Sequence, residues 1–102
     1  MQIEDAAVTE ETRRVREVVE ARLTEADKAH HLPLQLRPGF DVELDEDLDG
    51  ELAFRVWLRI DPSRNPLREE MSRLVELTSG IGQELARAGL RHWAYVDVRP
   101  AS

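Results

Sequence analysis

The sequence predicts an α/β domain of the α+β kind, a two-layer sandwich of order α-β-β-α-β. A three-stranded mixed sheet, two of whose strands form a β-hairpin, carries two helices packed on one face. Two segments, near 9–26 and 66–88, repeat apolar residues at helical spacing. Between them, 40–60 alternates apolar and polar residues, and a shorter alternating run follows the second helical segment. The chain's 102 residues suit one domain spanning 1–102 and suffice for a core without disulfide staples.

The first helix is expected from Thr9 to about Ala26. Val8, Val15, Val19, Leu23 and Ala26 share one stripe, and Thr9 followed by Glu10 and Glu11 suits a helix start. Asp27 to Gly39 reads as a connector broken by Pro33 and Pro38-Gly39. Within it, Leu32, Leu34 and Leu36 alternate and could add a short edge strand.

From Phe40 to Ile60 every apolar strand position is even-numbered: Phe40, Val42, Leu44, Leu52, Phe54, Val56, Leu58 and Ile60. This parity tests the turn. Opposed residues in an antiparallel pair project to the same face, so their numbers must sum to an even value. A two-residue Asp49-Gly50 turn gives sums of 99 and sets apolar residues opposite polar ones. A three-residue loop, Leu48-Asp49-Gly50, gives 98 and pairs Leu44 with Phe54, Val42 with Val56 and Phe40 with Leu58. It also places Gly50 at the left-handed position such loops need.

Asn65-Pro66 marks the start of the second helix in cap-then-first-turn order. Its expected buried stripe is Leu67, Met71, Leu74, Val75, Ile81, Leu85 and Ala88. Gly80 and Gly82 mark a kink or a close approach, and Gly89 the C-terminal cap. The last strand, about His92 to Val98, should run parallel to the second, since a crossover helix joins them.

The net charge of −7 is localised: seven acids and no base lie between Asp41 and Glu51, while the remaining 14 acids balance 14 bases. A negative chain argues against nonspecific binding to duplex nucleic acid. The absence of cysteine excludes disulfides and thiolate metal sites and suits a cytoplasmic protein. No run resembles a membrane span or a signal peptide. Of the 14 bases only Lys28 is lysine, which with the Ala, Leu and Val content fits a GC-rich bacterial genome.

DEDLDGE, 45–51, combines two signals. Asp45, Asp47, Asp49 and Gly50 match the first, third, fifth and sixth places of an EF-hand loop, but the twelfth, where a bidentate Glu belongs, is Val56. The segment therefore reads first as a hairpin loop and then as an acidic contact patch of Asp45, Glu46, Asp47, Asp49 and Glu51; weak cation binding ranks third.

The odd-numbered sheet face is expected to carry Asp41, Glu43, Arg55, Trp57, Arg59, Trp93, Tyr95, Asp97 and Arg99, opposite the helices. An ordinary structural role would pair Arg55 with Glu43 and shield Trp57 and Tyr95 under arginine stems and the connector. The functional reading makes Trp57, Trp93, Tyr95, Arg55 and Arg59 a partner-binding surface, because Trp, Tyr and Arg dominate interface hot spots. A protein partner or a second copy in a homodimer would fit. A single-stranded nucleic acid could stack on the aromatics, but Asp41, Glu43 and Asp97 cancel the three arginines beside them.

His30, His31 and His92 lack ligand spacing, and the first two suit the negative end of a helix. No nucleophile elbow, phosphate loop or metal motif is present, so the chain is expected to be non-enzymatic, with no catalytic residue, metal or cofactor. An acidic interaction domain could neutralise a basic partner as antitoxins and immunity proteins do. Millimolar Ca²⁺ is accordingly expected to leave the melting temperature and the amide spectrum of 45–51 unchanged; a shift in either would revive the cation site.

Overall fold

A computed structural model describes residues 6–61 and 68–101. Its elements run α1 (Ala6–Lys28), β1 (Leu36–Glu46), β2 (Leu52–Ile60), α2 (Arg68–Arg87) and β3 (Trp93–Pro100). The sheet order is β1-β2-β3, antiparallel at the hairpin and parallel across the α2 crossover. No helix among the described residues is long and apolar enough to cross a membrane.

Helix α1 buries the predicted stripe: Val15 and Val19 are fully enclosed, with Val18, Leu23 and Ala26 packed against the same core. Its start differs from expectation. Helix is already present at Ala6, so Thr9 lies inside it and is not the cap. Of the two acids read as first-turn residues, Glu10 pairs with Arg13 on the exposed surface, while Glu11 is buried. At the other end His31 N–H donates to Ala26 O and His30 N–H to Asp27 O, the double closure of a Schellman cap. His30 occupies the left-handed place usually given to glycine, with φ of 58°.

The hairpin has the register that parity required. Leu44 faces Phe54, Val42 faces Val56 and Phe40 faces Leu58, all summing to 98. Asp47 N–H donates to Glu51 O at 2.8 Å and closes the loop Leu48-Asp49-Gly50, with Gly50 at φ 78°. β1 reaches further back than the connector reading allowed. Leu36 pairs with Ile60 and the strand bulges between Leu36 and Phe40, around Pro38-Gly39. Leu32 to Leu36 therefore form no separate strand: Leu34 and Gln35 turn, and Leu36 begins β1.

The expected cap at Asn65-Pro66, and Leu67, lie outside the described residues. Within α2 the buried residues are Leu74, Leu77, Ile81 and Leu85. Two assigned stripe positions are corrected, since Met71 and Val75 are exposed, Val75 by 58 %; Leu77 takes the inward place instead. Counting from Leu74, Leu77 and Ile81 stay on one face at steps of three and four, while Val75 falls about 100° to its side. Gly80 marks a close approach, because a Cβ there would collide with the Arg22 guanidinium of α1. Gly82 faces open space, and α2 runs unbroken past both. Gly89 has the left-handed φ of 73° expected of the cap.

Both helices cover the even-numbered sheet face. Phe54, Val56 and Leu58 of β2 are fully buried against Val15 and Val19 of α1 and Ile81 and Leu85 of α2. Leu52, at the hairpin end of the same face, is 48 % exposed, so the hairpin tip lies beyond the tightly packed core.

Glu11 ties the two layers together. It occupies the helical position between Val8 and Val15 and is only 5 % exposed. One carboxylate oxygen accepts the N–H groups of Arg91 and His92, and the other lies 2.8 Å from His92 Nδ1. The His92 ring in turn stands edge-on to Phe54, with centroids 5.9 Å apart. Burial works against the Glu11 charge, yet the bonds from His92 and the two amides outweigh it and hold the carboxyl below its ordinary 4.5. A carboxyl depressed only in the folded state contributes stability that is complete above the ordinary value and drains away as pH falls through the folded one. Glu11→Gln is expected to cost about 1–3 kcal/mol in urea unfolding at neutral pH, and the gap to wild type to close at strongly acidic pH. A gap independent of pH would show that the charge of Glu11 is not what holds β3 to α1.

Candidate functional site

The strict alternation of β2 and β3 sends Arg55, Trp57 and Arg59, and Trp93, Tyr95, Asp97 and Arg99, to the side that neither helix covers. Parallel pairing sets Arg55 beside Tyr95, Trp57 beside Asp97 and Arg59 beside Arg99. On the other flank Glu43 faces Arg55 and Asp41 faces Trp57. The structure thus brings all five predicted contact residues onto one surface, in two unlike halves.

The half furthest from the hairpin tip is an ion-pair lattice. Asp41 accepts from Arg59 at 2.6 Å and from Arg99 at 2.9 Å, and Arg99 also reaches Glu43 at 3.4 Å. The hydrogen bonds from Arg59 and Arg99 hold the Asp41 carboxyl at about 2, so it is ionised through the physiological range. Arg37 pairs with Asp61 at 2.8 Å at the margin of the same cluster. Trp57 lies beneath this lattice: its indole N–H donates to Glu43 Oε1 at 2.9 Å and the Arg99 guanidinium stacks 5.1 Å from its ring. Partly buried in this way, Trp57 serves the sheet. The expected Arg55–Glu43 pair is replaced, because Glu43 is engaged by Trp57 and Arg99 while Arg55 stacks over Tyr95 at 5.4 Å.

The half nearer the tip is aromatic and open. Trp93 is 58 % exposed and Tyr95 40 %, and their rings meet edge to face at 6.5 Å. Tyr95 Oη lies 3.5 Å from Asp47 Oδ2, at the edge of hydrogen-bonding range, so the aromatic surface and the acidic tip adjoin. Strand numbering alone gives no sign of this junction, which arises because β3 begins alongside Ala53, just past the loop.

Within DEDLDGE the carboxylates have separate tasks. Asp47 Oδ1 accepts the N–H groups of Asp49, at 2.9 Å, and Glu51, at 3.0 Å, and so shapes the loop; Asp45 Oδ1 accepts the Glu46 N–H. Among the described residues no three His, Asp or Glu side chains converge where a metal ion could sit. Glu46, Asp49 and Glu51 point to solvent, and Leu48 at the apex is fully exposed. The result is a protruding acidic tip with an apolar end beside an aromatic pair. Compared with known families, curated proteins and solved structures, the chain matches none of them.

Asp47→Ala is expected to cost about 1–2 kcal/mol, the scale of two charge-assisted bonds on a partly exposed loop, and to speed amide exchange at Asp49 and Glu51. Unchanged exchange at both amides would show that the backbone alone sets the loop.

Proposed function

We propose that the chain is a non-enzymatic protein-binding module whose contact surface is the tip half of the helix-free sheet face. The observation that carries this reading is the exposed Trp93–Tyr95 pair, flanked by Arg55 and continuous with Leu48 and the acidic tip. Trp, Tyr and Arg side chains supply contact area at small entropic cost, and an adjacent rim of like charge steers a partner of opposite charge. Glu46, Asp49 and Glu51 on the protruding tip favour a basic protein surface, which gives the chain the character of an antitoxin-like neutraliser. A nucleic-acid ligand is disfavoured here, because Arg59 and Arg99 are already committed to Asp41 and Glu43 and, among the described residues of this face, Arg55 alone is left for phosphate.

The test is affinity capture from the source organism with wild type, Trp93→Ala and the double variant Asp49→Lys/Glu51→Lys. A basic protein should be retained by wild type, lost tenfold or more with either variant (a hot-spot loss of about 1.4 kcal/mol or more) and released by raised salt. Retention unchanged by both variants would remove the surface from consideration.

A further inference from the structure

The outer edge of β3 bears on how the chain assembles. Ala101 N–H donates to Ile60 O at 2.8 Å, so the odd-numbered residues of β3 turn their backbone groups toward β2. Strand alternation then directs the N–H and C=O groups of Ala94, Val96 and Val98 away from the sheet. The Val98 N–H is met by the carboxylate of its own neighbour, Asp97, at 2.8 Å. Pro100 closes the row, having no N–H to offer. The side chains of Val96 and Val98 on the helix side are only partly buried. Above them, the flank of α2 that faces away from α1 presents Val75, Ser79, Gly82 and Ala86 in one row, all uncharged and none bulkier than valine. In a chain with 34 % charged residues this strip stands out.

We infer that β3 pairs antiparallel with β3 of a second copy, about a two-fold axis through Val96, to give a continuous six-stranded sheet. The register follows from charge. Centred on Val96, Ala94 faces Val98 of the second copy, Tyr95 faces Asp97 and Trp93 faces Arg99, so no like charges are opposed and Arg99 keeps its own Asp41, Glu43 and Trp57. Moving the axis one residue toward the C-terminus sets Asp97 against Asp97; moving it one residue the other way sets Trp93 against Asp97. On pairing, the Val98 N–H exchanges Asp97 for Ala94 O of the second copy, and Asp97 is released toward Tyr95 across the axis. The two α2 helices then lie side by side, and small facing side chains suit the near end of the usual range of about 8–10 Å between helix axes. The other open edge does not compete. β1 carries Asp41, Glu43 and Asp45 on one side, and self-pairing in any register near its centre sets acid opposite acid. The assembly is made by backbone bonds along a strand edge, so its test is separate from that of the partner-binding reading, although it sets Trp93 and Tyr95 beside Arg99 and Asp97 of the second copy.

The experiment exploits a chain without cysteine. Light scattering at high micromolar concentration should give twice the chain mass for wild type and for Trp93→Ala. Ser79→Glu, at an exposed position on the α2 strip, should halve that mass with an unchanged far-ultraviolet spectrum. Under mild oxidation Val96→Cys should cross-link to a covalent dimer, because the two copies of that residue face each other, whereas Val98→Cys should not. A monomeric wild type would overturn the proposal. So would a dimer that survives Ser79→Glu while Val96→Cys fails to cross-link, or one that Trp93→Ala dissociates with no Val96→Cys cross-link; the latter would assign self-association to the sheet face instead.

Discussion

Phe54, Val56 and Leu58 lie on the side of the central strand that meets both helices, and they pack in one core with side chains of α1 and α2. Each is worth about 1.5–3 kcal/mol on burial, and together they explain why the hairpin cannot slip. A shift of one residue would send all three to the open face and bring Arg55, Trp57 and Arg59 into the core. The three-residue loop, with Gly50 at positive φ, is the turn that makes this register reachable. The identity of a residue at the tip is in this sense dictated by burial in the middle of the sheet.

The opposite side of β2 obeys a different balance. Among the described residues no apolar layer covers it, and its residues satisfy one another. Asp41 takes two guanidiniums, Glu43 an indole and a guanidinium, and Arg99 lies over Trp57. Surface ion pairs contribute little singly, but a shared carboxylate and a stacked ring fix arginine stems over apolar surface that would otherwise be wet. The lattice reaches as far as Glu43 and Trp57; nearer the tip Arg55 stacks on Tyr95, but Tyr95 and Trp93 stay exposed. The contrast between a self-satisfied half and an open half is the observation behind the proposal that the tip end is the contact surface.

Glu11 shows how a single buried charge can be tolerated when it replaces backbone partners. The turn between α2 and β3 presents the amides of Arg91 and His92 inward, and a carboxylate from α1 answers both. The charge is desolvated but fully engaged, the condition under which a buried carboxylate holds structure together rather than disrupting it. Through His92 and its edge contact with Phe54, the same clamp reaches the core of the central strand.

The element order, the hairpin register, the left-handed Gly50 and Gly89, and the assignment of odd-numbered residues to the open face are all contained in the periodicity of the chain, because burial of a sheet face is a local, two-residue rhythm. The same rhythm grouped Trp57, Trp93 and Tyr95. Periodicity could not tell Val75 from Leu77, since both lie within a helical turn of the stripe and the position of α1 decides which is covered. Nor could it separate Trp57, pinned under Arg99, from the exposed Trp93, or foresee that Glu43 would leave Arg55 for the indole and Arg99. Glu11 was visible as an acid at a stripe position, but its partners lie some eighty residues away. These choices belong to tertiary structure, because each depends on which side chains from distant strands arrive at the same few ångströms, and spacing along one strand carries no record of that.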